Sequence, residues 1–195
     1  MCGRFISGAD EISWKEYCEI LQLPLMAMEP AEETEFFPSQ AIPTIRVQSQ
    51  STTRELVSLK WGLVPAWTKE SSPKRKMINL RSETVHQKFR SPFSKRRCVI
   101  PATGFFEWKA VAGAKKKVKH LIWDDAQRIF SMAGVWERWT SPEGDPLETV
   151  AIITCDANDS VRPLHHRMPV ILPHSTLETW LSAEATTSEL REIMV

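Results

Sequence analysis

Short segments with the two-residue period of β-strands recur along most of this chain. Segment 55–61 shows the period most clearly, since Val57, Leu59 and Trp61 share one face of an extended chain. Similar runs predict an opening strand at the N-terminus and further strands at residues 41–47, 97–101, 105–109, 118–123, 129–136, 150–155 and 169–172. This many short strands is typical of a curved or barrel-like, mostly antiparallel sheet.

A single long amphipathic helix interrupts the strand pattern near the N-terminus. Apolar side chains recur there at helical spacing, at Trp14, Tyr17, Cys18 and Leu21. The pair Ser13 and Glu16 has the spacing of a capping box, and Pro24 favours an end to the helix before it. The remaining local predictions are a loop at 29–35 and short helices at 175–181 and 188–194. The predicted fold class is therefore α+β, with one domain over residues 1–195 and a few peripheral helices.

A cysteine directly follows the initiator methionine. Removal of Met1, by methionine aminopeptidase or by self-cleavage, would leave Cys2 with an α-amine and a thiol on adjacent carbons. The amine titrates near pH ~8 and the thiol near ~8.5, so some amine is unprotonated at neutral pH. Such an amine forms a Schiff base with an aldehyde, and the thiol can then close a five-membered thiazolidine ring. The alternative is a cysteine without a role in a frayed terminus.

The distribution of charge points to a polyanionic partner. The net charge is only +1, but residues 60–120 hold sixteen lysines and arginines against three acidic residues. Nucleic acid is the usual partner of such a block, although a solvated face balanced by neighbouring acidic segments is the alternative. Trp67, beside the basic stretch 69–76, is a candidate platform for stacking a base, and a buried aromatic is the alternative for it.

Several classes of protein are disfavoured. The four cysteines form no closely spaced pair, which argues against a zinc site or a redox motif. No apolar run has the length of a membrane span, and the N-terminus lacks the order of a signal peptide. We therefore expect a cytoplasmic, nucleoid-associated monomer with no membrane partner.

Glu107 is a carboxylate set among aromatic residues. It lies between Phe106 and Trp108, and partial burial there would raise its pKa toward a value suited to proton transfer. The alternative is a surface position paired with Lys109.

The segment 77–84 places three polar residues at a two-residue period. Arg81 could hold a phosphate with its fork of donors, and Asn79 could orient an amine or a sugar hydroxyl. The alternative is that Arg81 and Glu83 pair with each other on an exposed edge.

Two histidines and an arginine precede the last predicted strand. A histidine that titrates near neutrality can serve as both acid and base, which makes His165 and His166 candidates. Consecutive side chains diverge and no third ligand lies nearby in sequence, so a metal site is not predicted.

Six motifs occur together in order along the chain. They are residues 1–5 (Met-Cys-Gly-Arg-Phe), 61–65 (Trp-Gly-Leu-Val-Pro), 79–84 (Asn-Leu-Arg-Ser-Glu-Thr), 98–101 (Cys-Val-Ile-Pro), 104–108 (Gly-Phe-Phe-Glu-Trp) and 165–169 (His-His-Arg-Met-Pro). The series resembles the SOS response-associated peptidase (SRAP) family, whose members crosslink covalently to abasic sites in single-stranded DNA.

The resemblance implies a role for each candidate residue. Met1 would be removed, and Cys2 would form a thiazolidine with the aldehyde of the abasic sugar. Asn79 would position the cysteine, Glu107 would shuttle protons, and His165 would promote ring opening and Schiff-base chemistry. The phosphates would be held by arginines, namely Arg4, Arg81 and Arg167. No metal or organic cofactor is implied.

The chain departs from the family pattern at four places. Leu80 stands where many members have alanine, and His166 stands where an acidic or amide residue is common. Residues 35–38 (Glu-Phe-Phe-Pro) replace an Asn-x-Ala-Pro turn, and the chain ends at Val195, before the last strand that members usually carry.

Two other activities are compatible with the same residues. One is a thiol peptidase in which Cys2 is the nucleophile and His165 the base. The other is a non-covalent binder of single-stranded DNA, which would keep its affinity without the Cys2 thiol.

Overall fold

The computed structural model describes residues 2–23, 33–47, 52–69, 76–110, 113 and 116–194. Its strands are β1 (Phe5–Ser7), β2 (Thr34–Phe36), β3 (Ala41–Val47), β4 (Arg54–Trp61), β5 (Asn79–Arg81), β6 (Arg97–Ala102), β7 (Gly104–Lys109), β8 (Val118–Ile122), β9 (Phe130–Thr140), β10 (Pro146–Asp156), β11 (Arg167–Pro169) and β12 (Ile171–Leu172). Its helices are α1 (Glu11–Ile20), α2 (Ser82–Lys88), α3 (Arg90–Lys95), α4 (Leu177–Leu181) and α5 (Thr187–Ile193), with a 3₁₀ turn at His174–Thr176.

Five strands close into a barrel. The order is β10, β4, β3, β6 and β9, and β9 pairs back onto β10. The ring is antiparallel except for the parallel pair of β4 and β10, and β5 adds a second parallel pairing to β10. The predicted α+β class with a barrel-like, mostly antiparallel sheet is confirmed.

Two apolar clusters lie on opposite faces of the barrel strands. Cys98 and Ile100 belong to one cluster, and Val99 between them belongs to the other, as strand alternation requires. The first cluster contains Cys2 and Phe5, so the start of the chain packs against that face. The second cluster is covered by the helices.

Gly134 on β9 shows how tightly the barrel is packed. A Cβ atom at this position would collide with Ile100 Cδ1 and would lie 3.0 Å from Cys98 Sγ. Ile100 would have to move for a larger residue to fit, and the new atom would also lie 3.1 Å from the carbonyl oxygen of Ala151, so the packing favours glycine here.

A second, four-stranded sheet holds the N-terminus. Its order is β2, β1, β7 and β8, so β1 is an inner strand with a partner on each side. Phe5 pairs with Phe36 of β2 and with Phe105 of β7. The backbone N–H of Phe106 also donates to the carbonyl of Arg4 over 2.9 Å. The first residues are therefore fixed in a sheet, and the alternative of a frayed terminus is wrong.

Helix α1 confirms the predicted buried face but not the predicted cap. The four residues of the predicted apolar face are buried, namely Trp14, Tyr17 and Cys18 within the helix and Leu21 directly after it. The N-cap is Asp10, whose carboxylate accepts from Ser13 N over 3.0 Å, so the helix begins one turn before the expected capping box.

The loop predicted at 29–35 is partly wrong, because β2 begins at Thr34, and residues 29–32 lie outside the described part of the chain. No helix among the described residues is long and apolar enough to cross a membrane.

Candidate active site

Cys2 is completely buried beside Phe5 and Trp61. Its Sγ donates weakly to the carbonyl of Arg4, at 3.8 Å. Burial, reinforced by the negative charge of Glu107, raises the pKa of the Cys2 thiol to about 12. The thiol is therefore protonated at neutral pH, and thiolate chemistry is suppressed.

Asn79 fixes the backbone of Cys2. Strand β5 runs parallel to β10, with Asn79 opposite Ile152, and this pairing brings the amide to the start of the chain. Asn79 Nδ2 donates to the carbonyl of Cys2 over 2.7 Å. The amide oxygen, Oδ1, is buried and accepts no hydrogen bond from the described residues.

Glu107 is buried, with only 2% of its surface exposed. It lies on β7 opposite His120 and faces away from Phe106 and Trp108, as alternation requires. Its charge acts on both the Cys2 thiol and the His165 imidazole, so both groups lie within range of the carboxylate's charge. Lys109 is exposed, so the alternative of a surface pair does not describe Glu107.

His165 is held by the chain that follows it. Its Nδ1 lies 2.9 Å from the backbone N–H of Arg167 and 3.2 Å from the Arg167 carbonyl oxygen. Burial lowers the pKa of His165, and the nearby Glu107 charge opposes that shift. The ring stacks on His166, with centroids 4.4 Å apart, and His166 is the more exposed of the two. A neutral, partly buried imidazole thus stands beside Glu107.

Arg167 is buried, with 5% of its surface exposed, and its guanidinium is engaged within the protein. It pairs with both oxygens of Glu83, with Asp156 Oδ1 at 2.7 Å and with the carbonyl of Thr154 at 2.5 Å. The hydrogen bonds that Arg167 donates to Glu83 are the main reason that the pKa of Arg167 is raised. Glu83 therefore pairs with Arg167 and not, as one alternative held, with Arg81. The role of Arg167 in holding phosphate stays a prediction from the resemblance.

The other predicted DNA-binding residues are more accessible. Arg4 lies between two rings, with Cζ at 4.2 Å from the centroid of Phe37 and 5.2 Å from that of Trp108. Arg81 is exposed at the end of β5. Trp67 is 62% exposed and tilts against Phe89, so the alternative of a buried aromatic is wrong for it.

Two arginines of the basic segment 60–120 stabilise the fold. Arg97 is buried and donates to four backbone carbonyls, those of Phe93, Ser94, Trp180 and Ser182. Arg96 pairs with Glu137 at 2.8 Å. These two arginines link α3, β6 and the C-terminal helices, which removes them from the cations available to a polyanion. Residues 74 and 75 of the basic loop lie outside the described part of the chain.

Sequence reasoning missed one ionic contact near Arg4. Glu35 on β2 accepts from Lys119 on β8 over 2.7 Å, although the two residues are 84 positions apart. No local pattern signals such a pair, since it depends on how four strands assemble. Among the residues that the structure describes, no group of three potential metal ligands was found.

Comparison with known proteins assigns the chain to a family. The family model described as SOS response associated peptidase (SRAP) matches residues 1–195, and the chain belongs to that family. Abasic site processing protein YoqW of Bacillus subtilis is 40% identical over 189 residues, which cover 95% of this chain and 82% of YoqW. Abasic site processing protein HMCES of Gallus gallus is 35% identical over 175 residues, 77% of this chain and 52% of HMCES.

Solved structures share the fold. A crystal structure of a protein from Bacteroides thetaiotaomicron matches with a TM-score of 0.79 and 28% identity, over 99% of this chain and 86% of that one. A second, from Bordetella bronchiseptica, matches with a TM-score of 0.78 and 26% identity, over 100% of this chain and 93% of that one.

Proposed function

We propose that this protein captures abasic sites in single-stranded DNA by a covalent bond to Cys2, once Met1 has been removed. The hydrogen bond from Asn79 to the Cys2 carbonyl carries the proposal, because it holds the start of the chain beside Glu107 and His165. Membership of the SRAP family and the similarity to abasic site processing proteins support it.

The first step is the attack of the Cys2 α-amine on the aldehyde at C1′ of the ring-opened sugar. The nitrogen–carbon bond forms, and the hydroxyl of the carbinolamine leaves as water to give an imine. In this proposal Glu107 takes a proton from the amine. Glu107 passes this proton to the oxygen of the carbinolamine, and neutral His165 takes the second amine proton and, as imidazolium, delivers it to the leaving hydroxyl.

The second step closes the ring. The Cys2 sulfur bonds to the imine carbon, the thiol proton passes to the nitrogen, and the overall reaction releases one water without oxidation or reduction. A thiol with a pKa of about 12 supports this order, since the amine is the better nucleophile at neutral pH. The same protonated thiol argues against a thiol peptidase, which needs a thiolate.

Ring closure would protect the strand. An open imine at C1′ allows β-elimination and strand scission, whereas a thiazolidine has no imine left to promote it. Arg4, Arg81 and the exposed face of Trp67 would hold the flanking nucleotides, by charge and by stacking.

The test is denaturing gel electrophoresis of the Met1-processed protein with a single-stranded oligonucleotide that carries one abasic site. We expect a shifted band with the native protein and none with Cys2→Ala. Cys18→Ala is the matched control, because Cys18 belongs to the other apolar cluster and should leave the band unchanged.

A second variant distinguishes the amine from the thiol. A residue that cannot be removed, placed before Cys2, blocks the α-amine and should abolish the band, whereas a thiol peptidase would stay active. Absence of the band from a folded protein with a verified Cys2 terminus would refute covalent capture.

A further inference from the structure

We propose that Arg4 and Lys119 form a site for one backbone phosphate of the DNA strand, and that Glu35 occupies this site until the phosphate displaces it. The ligand of this site rests on the proposed function. Neither Lys119 nor Glu35 was singled out by the sequence.

One oxygen of Glu35 joins the two cations. Glu35 Oε1 lies 2.7 Å from Lys119 Nζ and 3.2 Å from Arg4 Nε. An anionic oxygen shared by an arginine and a lysine is the arrangement in which a phosphate oxygen is held. The carboxylate therefore stands where a phosphate oxygen would bind.

Aromatic rings keep both cations in place. The Arg4 guanidinium lies over Phe37 and Trp108, and Lys119 Nζ is 3.8 Å from the centroid of Phe106. Cation–π contacts of this kind do not depend on Glu35. The two charges thus stay in place when the carboxylate swings away, and the site is preformed for its ligand.

The site adjoins the reactive terminus. The carbonyl of Arg4 accepts from the Cys2 thiol and from the N–H of Phe106. Lys119 lies directly opposite Trp108 in the pairing of β7 and β8, and Trp108 directly follows Glu107 in the chain. A phosphate held by Arg4 and Lys119 would therefore belong to a nucleotide close to the abasic one.

Glu35 can be displaced because its two ion pairs are partly solvated. All three side chains keep about a third of their surface exposed. Exposed ion pairs of this kind contribute little free energy. The loss of such pairs changes an equilibrium constant by a factor of about two to five. Glu35 therefore lowers the affinity for the strand by about that factor and does not block binding.

The first test measures the equilibrium binding of an undamaged single-stranded oligonucleotide by fluorescence anisotropy. Glu35→Gln should bind about two to five times more tightly than the native protein. Glu55→Gln is the matched control, because Glu55 also pairs with an arginine, Arg46, but on the barrel strands β3 and β4. Equal affinities of the two variants would overturn the role of Glu35.

The second test follows the dependence of affinity on salt. Lys119→Gln should weaken binding and lower the slope of log affinity against log salt by about 0.7, the value for one phosphate contact on a single strand. Lys15→Gln, the same charge change on α1, should keep the native slope. An unchanged slope for Lys119→Gln would overturn the site.

A neutral methylphosphonate, moved one linkage at a time along an oligonucleotide with a tetrahydrofuran abasic analogue, which has no aldehyde, identifies the phosphate. When the methylphosphonate replaces the phosphate that Lys119 contacts, the native protein and Lys119→Gln should bind the oligonucleotide with the same affinity. If the difference persists at every linkage, or if inorganic phosphate at matched ionic strength competes as well as the oligonucleotide, the site does not recognise the strand.

These tests do not depend on the covalent step, because neither an undamaged strand nor a tetrahydrofuran abasic analogue has an aldehyde to crosslink. A protein that crosslinks, but whose Glu35→Gln variant matches Glu55→Gln, keeps its proposed function and loses this inference. A protein with the expected affinities and no crosslink keeps the site and loses the covalent mechanism.

Discussion

The Asn79 side chain donates a hydrogen bond over 2.7 Å to the backbone carbonyl of Cys2, 77 positions earlier in the chain. Strand β5 is anchored on both sides of this contact. The carbonyl of Ile78 accepts from the indole of Trp61 over 2.9 Å, and β5 pairs with β10. The reactive terminus is thus held by the barrel as well as by strand β1. The contact with the barrel is made by the side-chain amide of Asn79.

Replacing this amide should slow the chemistry more than it weakens binding. We expect Asn79→Ala to reduce the single-turnover rate of crosslinking by about ten- to a hundredfold, because a small displacement of a reacting group costs about that much. The affinity for undamaged single-stranded DNA should stay the same. Gln87→Ala, an exposed change on α2, is the control. An Asn79→Ala rate within twofold of the native rate would contradict the positioning role.

Replacing the Cys2 thiol alone should stop the reaction at the imine. Cys2→Ser keeps the α-amine but has a poorer group for ring closure, so the imine should accumulate and undergo β-elimination. We expect cyanoborohydride to trap a crosslink with Cys2→Ser, and strand scission to appear when the reductant is omitted. Mass spectrometry of the trapped peptide locates the bond on the α-nitrogen. A Cys2→Ser protein that neither traps nor cleaves would contradict attack by the amine first.

Strands with a clear local pattern could be predicted. β4 has a two-residue period and β6 is a short apolar run buried on both faces, and the bounds of β4, β6 and β7 agree with the predicted ones within one residue. Segment 169–172 was predicted as one strand but forms two. Val170 donates to Ile153 of β10 and accepts from Ala133 of β9, so the chain crosses between neighbouring strands at this residue.

Short elements whose register depends on distant partners could not be predicted. Segment 77–84 has a two-residue period, yet only Asn79–Arg81 pairs with β10, and helix α2 begins at Ser82. Glu83 therefore lies in the first turn of a helix, where it meets Arg167. The contact depends on how β5, α2 and β11 assemble, and none of these short segments has a pattern that specifies it.

The residue types of the candidate site could be read from the sequence, but their burial could not. Alternation separates Glu107 from Phe106 and Trp108, but it does not say which face is buried, and the face of Glu107 is the buried one. Burial of Arg167 could not be predicted either, because an arginine beside two histidines looks like a surface cation until its carboxylate partners are known. Charge type was readable from the sequence, but access to solvent was not.

The ion pair of Glu83 and Arg167 should stabilise the folded protein at pH values above the pKa of Glu83. The hydrogen bonds from Arg167 hold the pKa of Glu83 below its ordinary value. Its contribution is therefore present above the unfolded pKa of about 4.3 and is lost as the pH falls through the lower, folded pKa. Because the Glu83 side chain is 49% exposed, we expect Glu83→Gln to lower the free energy of unfolding by only about 1 kcal/mol at pH 7.

Urea unfolding of Glu83→Gln at pH 7 and at pH 3 tests this dependence. The difference from the native protein should shrink at pH 3, where Glu83 is protonated in the unfolded state. Glu143→Gln, at an exposed turn, should differ from the native protein at neither pH. A Glu83→Gln deficit of equal size at both pH values would show that the charge of Glu83 is not involved.

Trp67 should contribute to DNA affinity by stacking. Its ring is 62% exposed and is supported from behind by Phe89. Removal of a stacked aromatic costs about 1–3 kcal/mol per base, so Trp67→Ala should weaken binding of undamaged single-stranded DNA by about fivefold or more. Trp123→Ala is a stringent control, because Trp123 is 68% exposed but lies beside Asp124 and Asp125, which repel phosphate. Equal losses of affinity in the two variants would contradict a specific platform.

The pH dependence of crosslinking should reveal His165 in its neutral form. Burial lowers the pKa of His165, so the ring is neutral at pH 7 and gains its proton only below its ordinary value of about 6.5. The α-amine of Cys2 must also lose a proton, with a pKa of about 8. Between these two values the log of the single-turnover rate should rise with pH at a slope of about one. Below the pKa of His165 it should rise at about two, since both groups must then deprotonate.

Replacing His165 separates the two titrations. His165→Asn should lower the rate at every pH and keep a slope of about one throughout, because only the amine still titrates. His166→Asn, on the neighbouring exposed ring, should keep the steeper low-pH limb. A nuclear magnetic resonance titration of the His165 imidazole should give a midpoint below the ordinary value of about 6.5. If the steep limb survives His165→Asn and disappears in His166→Asn, then His166 is the histidine that acts in the reaction.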